Sequence, residues 1–318
     1  MEYKMRLHQH TELFHETLRA TAEHLEIKLE FVEKDYWISL LLFRLSKSNY
    51  TDKIVFKGGT SLSKGFNLIE RFSEDVDIAI INEEIDSGNQ LKKIIRTIEK
   101  EITAGLKENF IENVTSKGSR FRKSVFEYPS LQEKASNNKI IVEINSFANP
   151  FPYQKLTIQP MVYDFLIQTK NEKYAIEYDL TSFELNVLNK EQTLMEKVVS
   201  LIRVSFSENE IEAISEKIRH FYDLYYLVTD EETEQLLYLE SFKSQFEEIL
   251  NHDRKIFDKP KGWADFTLEE SILVKDFPKV WKQLKQKYQS ELSALAYRPI
   301  PNEEEVAEVF TNLLKRIL

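Results

Sequence analysis

The chain has 318 residues, 42% of them hydrophobic and 30% charged, with a net charge of −10 and no cysteine. That length and apolar content suffice for a large core and favour two packed units over one. The lack of cysteine excludes disulfides, thiolate zinc sites and cysteine nucleophiles, so any metal must be held by carboxylates or histidines. No apolar run approaches the roughly 18 residues of a membrane span, and the start MEYKMRLHQHTELFHETL lacks a signal-peptide core. The expectation is therefore a cytoplasmic address with no membrane partner. The acidic balance argues against whole-surface attraction to nucleic acid, which leaves a local basic groove to be found.

In chain order, apolar residues from 7 to 48 recur every three to four positions, as in helices. Residues 53–57 read as a short strand, stopped by Gly58-Gly59, and 60–71 as a helix. Asp75 to Ile81 reads as a half-buried strand, and about 88–107 as a long amphipathic helix. From 108 to 188, β-branched and aromatic residues rise and prolines punctuate the chain. That composition predicts strands near 122–128, 139–147, 157–167, 174–180 and 183–188. Helices are expected from 190 onward, near 191–207, 210–229, 231–250, 268–292 and 303–317. The expected domains are 1–189, an α+β domain with N-terminal helices, and 190–318, a helical domain.

Three of the seven glycines fall within 58–65, between a strand and a helix. A glycine pair lets the backbone approach a ligand, and a helix start offers unpaired N–H groups to a phosphate. Thr60 and Ser61 add hydroxyls, although both are also ordinary helix caps. One helix later comes Asp75-Val76-Asp77. In a strand, residues i and i+2 share a face, so both carboxylates project together. At about 4 Å and an effective dielectric near 20 they repel by roughly 4 kcal/mol, which calls for a cation. Oxygen donors without cysteine point to Mg²⁺ or Mn²⁺. Glu143, the lone acid of the apolar run Ile140–Ile144, supplies a third carboxylate unless it sits on an exposed strand face. Later, Asp223 is a lone carboxylate in the apolar helical stretch 221–228 and must find a cation, with Arg219 and Lys197 the candidates.

The ordered succession Glu33-Lys34-Asp35-Tyr36-Trp37, Phe56-Lys57-Gly58-Gly59-Thr60-Ser61-Leu62, Asp75-Val76-Asp77, Glu196-Lys197 and Tyr222-Asp223-Leu224 resembles the AbiEii/AbiGii-type toxin nucleotidyltransferases, which include the MenT toxins. The resemblance covers roughly 30–230. It implies a polymerase-β-like nucleotidyltransferase domain with a mixed sheet, followed by a helical domain that contributes to the active site. It also implies an NTP substrate and an antitoxin partner within a toxin–antitoxin or abortive-infection system. Carried over residue by residue, Gly59, Thr60 and Ser61 hold phosphate, Asp75 and Asp77 hold metal, Lys197 meets the triphosphate, and Asp223 orients Lys197 or the base. Lys57, Gly58, Lys64 and Arg203 join the nucleotide-binding candidates. Where the family often shows Arg-Asp before Tyr-Asp-Leu, this chain has Arg219-His220-Phe221.

Characterised relatives of that kind resemble tRNA-modifying enzymes acting on the acceptor 3′ end, which would block translation. Lys117, Arg120, Arg122 and Lys123, with Phe121 among them, form one basic loop suited to a phosphate backbone, or to a solvated hairpin. Nucleotidylation of a protein or small molecule would use the same carboxylates. A glycosyltransferase also uses Asp-x-Asp but does not explain the glycine pair. A non-catalytic binding module would not need the acids, and a purely helical interaction protein explains neither motif.

Overall fold

The computed structural model describes residues 5–82, 87–112, 114–131 and 138–318. The chain divides into two compact units, Met1–Asn67 with Phe72–Leu188, and Leu68–Arg71 with Asn189–Leu318.

The first unit opens with helices α1 (Thr11–Leu25) and α2 (Leu29–Ser46). Strand β1 (Ile54–Lys57) runs straight into α3 (Gly58–Lys64), and β2 (Asp75–Ile80) and α4 (Gly88–Ile102) follow. Next come β3 (Lys107–Asn109), β4 (Ser116–Lys117), β5 (Phe121–Glu127), β6 (Lys139–Asn145) and β7 (Tyr153–Ile158). Helices α5 (Met161–Gln168) and α6 (Glu172–Glu177) precede β8 (Phe183–Leu188). The sheet order is β3-β5-β6-β2-β1-β8-β7, with β4 paired to β5. It is mixed: β2 runs parallel to β6 and β1 to β8, and the other pairs are antiparallel. The architecture is therefore α+β.

Alternation along β2 and β6 decides which face is dry. Val76, Ile78 and Ile80 with Ile140, Val142 and Ile144 are fully buried in one cluster with the apolar sides of α2 and α4. Helix α4 contributes Leu91, Ile94, Ile95, Ile98 and Ile102, each worth about 1.5–3 kcal/mol on burial. The same layer contains an ion pair. Arg122 Nη2 lies 2.5 Å from Glu99 Oε2, and Ser124 Oγ donates to Glu99 Oε1 at 2.6 Å. Asp75, Asp77 and Glu143 occupy alternate positions and so face the other way.

The second unit is helical: α7 (Lys190–Val204), α8 (Glu210–Ser215), α9 (Ile218–Thr229), α10 (Glu231–Leu236), α11 (Ser241–Ile256), α12 (Ile272–Lys275), α13 (Phe277–Leu295) and α14 (Glu303–Ile317). Its core gathers Phe221, Phe277, Trp281 and Phe310, whose rings lie 4.6–5.8 Å apart.

Several elements differ from the sequence expectation. The helix expected at 60–71 begins at Gly58 and ends at Lys64, because the chain then leaves to give Leu68–Arg71 to the other unit. The strand expected at 157–167 stops at Ile158. Pro160 caps α5, whose Val162 and Leu166 are buried at helical spacing. The strand expected at 174–180 is the short helix α6. In both cases aromatic and β-branched residues suggest strand, while packing, of α5 onto α1 and α2 and of α6 onto α5, favours helix. The long helices expected at 210–229, 231–250 and 268–292 are each broken into shorter ones.

Candidate active site

Register across four strands assembles the charged row of the first unit. Lys57 of β1 pairs with Asp77 of β2, Asp77 with Glu143 of β6, and Glu143 with Lys123 of β5. The result is a cation, two acids and a cation in line, with Asp75 two residues along on the same face as Asp77. Lys123 Nζ lies 3.4 Å from Glu143 Oε2.

The glycine turn closes on this row. Gly58 has φ +79, a left-handed conformation that side chains avoid, and a Cβ built there would lie 2.1 Å from Asp77 Oδ2. Gly58→Ala is therefore expected to cost about 1–2 kcal/mol of stability. It also pushes the Asp77 carboxylate out of place, so nucleotide transfer should fall further than the melting temperature alone explains. Parallel activity and thermal-melting measurements on the variant check this.

The carboxyl of Asp77, recessed behind that turn, is pushed well above the usual carboxylate range. Loss of water is the largest cause, followed by Glu143 and then Asp75, with Lys57 and Lys123 opposing. Lys123 is held above the ordinary lysine value because Glu143 and Asp75 outweigh its own burial. A buried carboxyl that resists ionising beside two other acids suits a divalent cation, and the donor set is all carboxylate oxygen. Among the described residues no three acidic or histidine side chains already stand in ligating geometry.

The hydroxyls of Thr60 and Ser61 turn inward. Thr60 Oγ1 donates to the Asp75 carbonyl and Ser61 Oγ to that of Gly58 at 2.8 Å, and both residues are buried. What this turn can offer an anion is its first backbone N–H groups, which no side chain caps. Lys64 also turns away, to Asp35 at 2.5 Å. Asp35 in addition accepts from the Met161 N–H at 2.8 Å, Lys34 meets Glu74 at 2.8 Å, and Glu33 accepts from the Leu131 N–H at 2.7 Å. The Glu33-Lys34-Asp35 run thus ties α2 to residues beside the candidate site.

The second unit contains another ionic cluster. Asp223 is fully buried on α9 and receives a two-pronged contact from Arg71, Nε to Oδ1 and Nη2 to Oδ2, each at 2.7 Å. Lys197 Nζ on α7 completes it at 2.7 Å. Burial raises the Asp223 carboxyl, but Arg71 and Lys197 outweigh it and hold the group far below the usual range. Of the two partners considered from sequence, Lys197 is correct and Arg219 is not, since Arg219 faces Glu291 at 3.4 Å. Sequence reasoning missed Arg71, because nothing local marks which of 43 cations serves a distant carboxylate. His220, with a buried Nδ1 that has no hydrogen-bond partner, is held neutral by burial and then by Lys197 and Lys217. Arg203 is taken up by Asp253 at 3.2 Å and by the Phe257 ring, 3.8 Å from its centroid.

The basic loop does not survive as a unit. Phe121 onward is strand, so alternation sends Arg122 to Glu99 in the core and Lys123 to Glu143 on the acidic face. Phe121 lies against Phe147, with ring centroids 5.8 Å apart. Lys117 pairs with Glu108 at 2.6 Å, and Arg120 is exposed in the turn.

A family model described as "Nucleotidyl transferase AbiEii toxin, Type IV TA system" matches residues 40–312. No curated protein matches the chain. Among solved structures the chain is similar to MenT4, a nucleotidyltransferase toxin from Mycobacterium tuberculosis H37Rv. The identity is 15% and the TM-score 0.39, over 85% of this chain and 98% of that one. With the family model spanning most of its length, the chain belongs to the AbiEii family of nucleotidyltransferase toxins of type IV toxin–antitoxin systems.

Proposed function

We propose that the protein transfers a nucleotidyl group from an NTP to the 3′ hydroxyl of tRNA, and so blocks translation until a cognate antitoxin opposes it. The observation that carries the chemistry is the cross-strand row, in which Asp77 lies opposite Glu143 with Asp75 on the same face. Asp75, Asp77 and Glu143 would hold Mg²⁺ or Mn²⁺. When bound, the metal supplies charge neutralisation at the transferring phosphate and lowers the cost of an attacking alkoxide. Glu143 takes the proton of the acceptor hydroxyl as its oxygen bonds to the α-phosphorus, and the bond to the β-phosphate breaks to release pyrophosphate. Lys57, directly across from Asp77, limits the repulsion among the acids. The backbone N–H groups at Gly58, Gly59 and Thr60 donate to the phosphates. Thr60 and Ser61 shape the turn from within, since their hydroxyls are already engaged.

By resemblance, Lys197 serves the triphosphate and Asp223 anchors Lys197, with Arg71 sharing the anchor. The proposed domains are 1–189 and 190–318. No helix among the described residues is long and apolar enough to cross a membrane, and the proposed compartment is the cytoplasm.

The test incubates the purified protein with each α-labelled NTP, total RNA and a protein extract. The expected result is a labelled tRNA band that disappears with a chelator and returns with Mg²⁺ or Mn²⁺. Label on protein or on a small molecule would replace the acceptor, and no label with any NTP would sink the enzyme reading.

A further inference from the structure

We propose that the solvent face of α4 is where the phosphate backbone of the RNA acceptor lies. The inference rests on the RNA-acceptor reading above and adds a surface to it.

Helix α4 turns Leu91, Ile94, Ile95 and Ile98 to the sheet and shows Lys92, Lys93, Arg96 and Lys100 to solvent, around an open depression of about 660 Å³. In a chain of net charge −10 this is an unusual local excess of cations. Among the described residues none of the four makes an ion pair, whereas Lys34, Lys64, Arg122, Lys123 and Lys190 are all paired. The one acid lining the depression, Glu101, accepts a hydrogen bond from Ser48 Oγ at 2.9 Å.

The spacing also suits a polyanion. Lys92, Arg96 and Lys100 stand four residues apart, so each step rises about 6 Å along the helix, close to the separation of successive phosphates on an RNA strand. Protein interfaces have an apolar centre depleted of lysine, and helices that lie on membranes present aromatic or aliphatic anchors. This face has neither; Asn89 and Thr97 are its uncharged members. Release of counterions from a nucleic-acid backbone needs only the cations.

The position assigns the stripe a holding role. Glu99 of α4 bonds Arg122 and Ser124, which point away from the face carrying Lys123 and Glu143. The stripe therefore lies across the sheet from the acids, where it can grip the body of the acceptor but cannot touch the reacting phosphate.

The test is the variant Lys92→Gln/Lys93→Gln/Arg96→Gln/Lys100→Gln, measured by binding of fluorescent tRNA over a salt series and by labelling kinetics. tRNA affinity should fall at least about tenfold, and the slope of log affinity against log salt should flatten by about 3. KM for tRNA should rise while the rate at saturating tRNA and KM for the NTP stay within about twofold. An all-arginine version should bind as the parent does. Equal weakening by a matched loss of four charges on α13, at Lys279, Lys282, Lys285 and Lys287, would make the effect one of bulk charge and overturn the assignment. So would unchanged tRNA binding, or a loss seen only with phosphatidylserine vesicles or with an acidic protein. If the parent labels tRNA and the variant does so with the same KM, the surface alone is wrong. If the parent neither binds nor labels RNA, the acceptor reading fails along with it.

Discussion

Asp77→Asn is expected to reduce nucleotide transfer by at least about 10³-fold while leaving the folded chain no less stable than its parent. The two effects have one cause. The Asp77 carboxyl is raised by burial and by the fields of Glu143 and Asp75, so in its ionised form it opposes folding until a cation is present. A carboxyl whose pKa is higher folded than unfolded weakens the fold as pH climbs from the unfolded value, about 3.9, through the folded one. Asparagine has no charge to lose. In a chelating buffer, urea unfolding should therefore show the parent losing stability relative to the variant across that window and the gap closing at lower pH. A variant that is inactive and also markedly less stable would place Asp77 in the framework instead of in the chemistry.

Asp223→Asn should do the opposite to stability. Here the folded carboxyl is depressed by Arg71 and Lys197, so its contribution is present above the unfolded value and lost as pH falls towards the folded one. Asparagine leaves two cations buried without a counter-charge, a cost of about 3–5 kcal/mol. For a chain of this size that lowers the melting temperature by roughly 5–7 °C. Replacing all three members together with apolar residues of similar volume should recover most of the loss, because a buried ion cluster is costly to break but dispensable when removed whole. Calorimetry on the single and triple variants checks both parts. Transfer activity in the refolded triple variant then separates an anchor for Lys197 from a purely structural tie. Recovered stability without recovered transfer is the outcome expected of an anchor.

Local signals show how far the sequence could be read. The alternation of Asp75-Val76-Asp77-Ile78 marks a strand, and the glycine pair marks the turn before it, because both depend on neighbours only. A lone Glu143 in an apolar strand signals an unusual environment, but that it faces Asp77 is a matter of register between strands some sixty residues apart. Arg122 and Lys123 illustrate the commonest failure. Adjacent cations look like one patch, but alternation along the strand that begins at Phe121 places them on opposite faces. Helices α5 and α6 were obscured by residues with strand propensity, which tertiary packing overrode. Arg71 and the paired roles of Lys34 and Asp35 were hidden because buried ion pairs are long-range choices among many equivalent charges. Thr60 and Ser61 read from sequence as hydroxyl donors to a phosphate, whereas the carbonyls of Asp75 and Gly58 already accept from them.

The four residues Leu68–Arg71 lie in sequence between the glycine turn and the aspartate pair, yet they belong to the helical unit. The chain therefore passes between its two units three times, at 67 to 68, 71 to 72 and 188 to 189. Divided at 188, it would not yield two heritable modules, because the helical fragment would carry Asp223 and Lys197 without Arg71. Recombination that exchanged the C-terminal half among relatives would have to bring a compatible arginine from the N-terminal half at the same time. The interleaving makes the toxin a single unit of inheritance, and its two halves should change in step over evolutionary time.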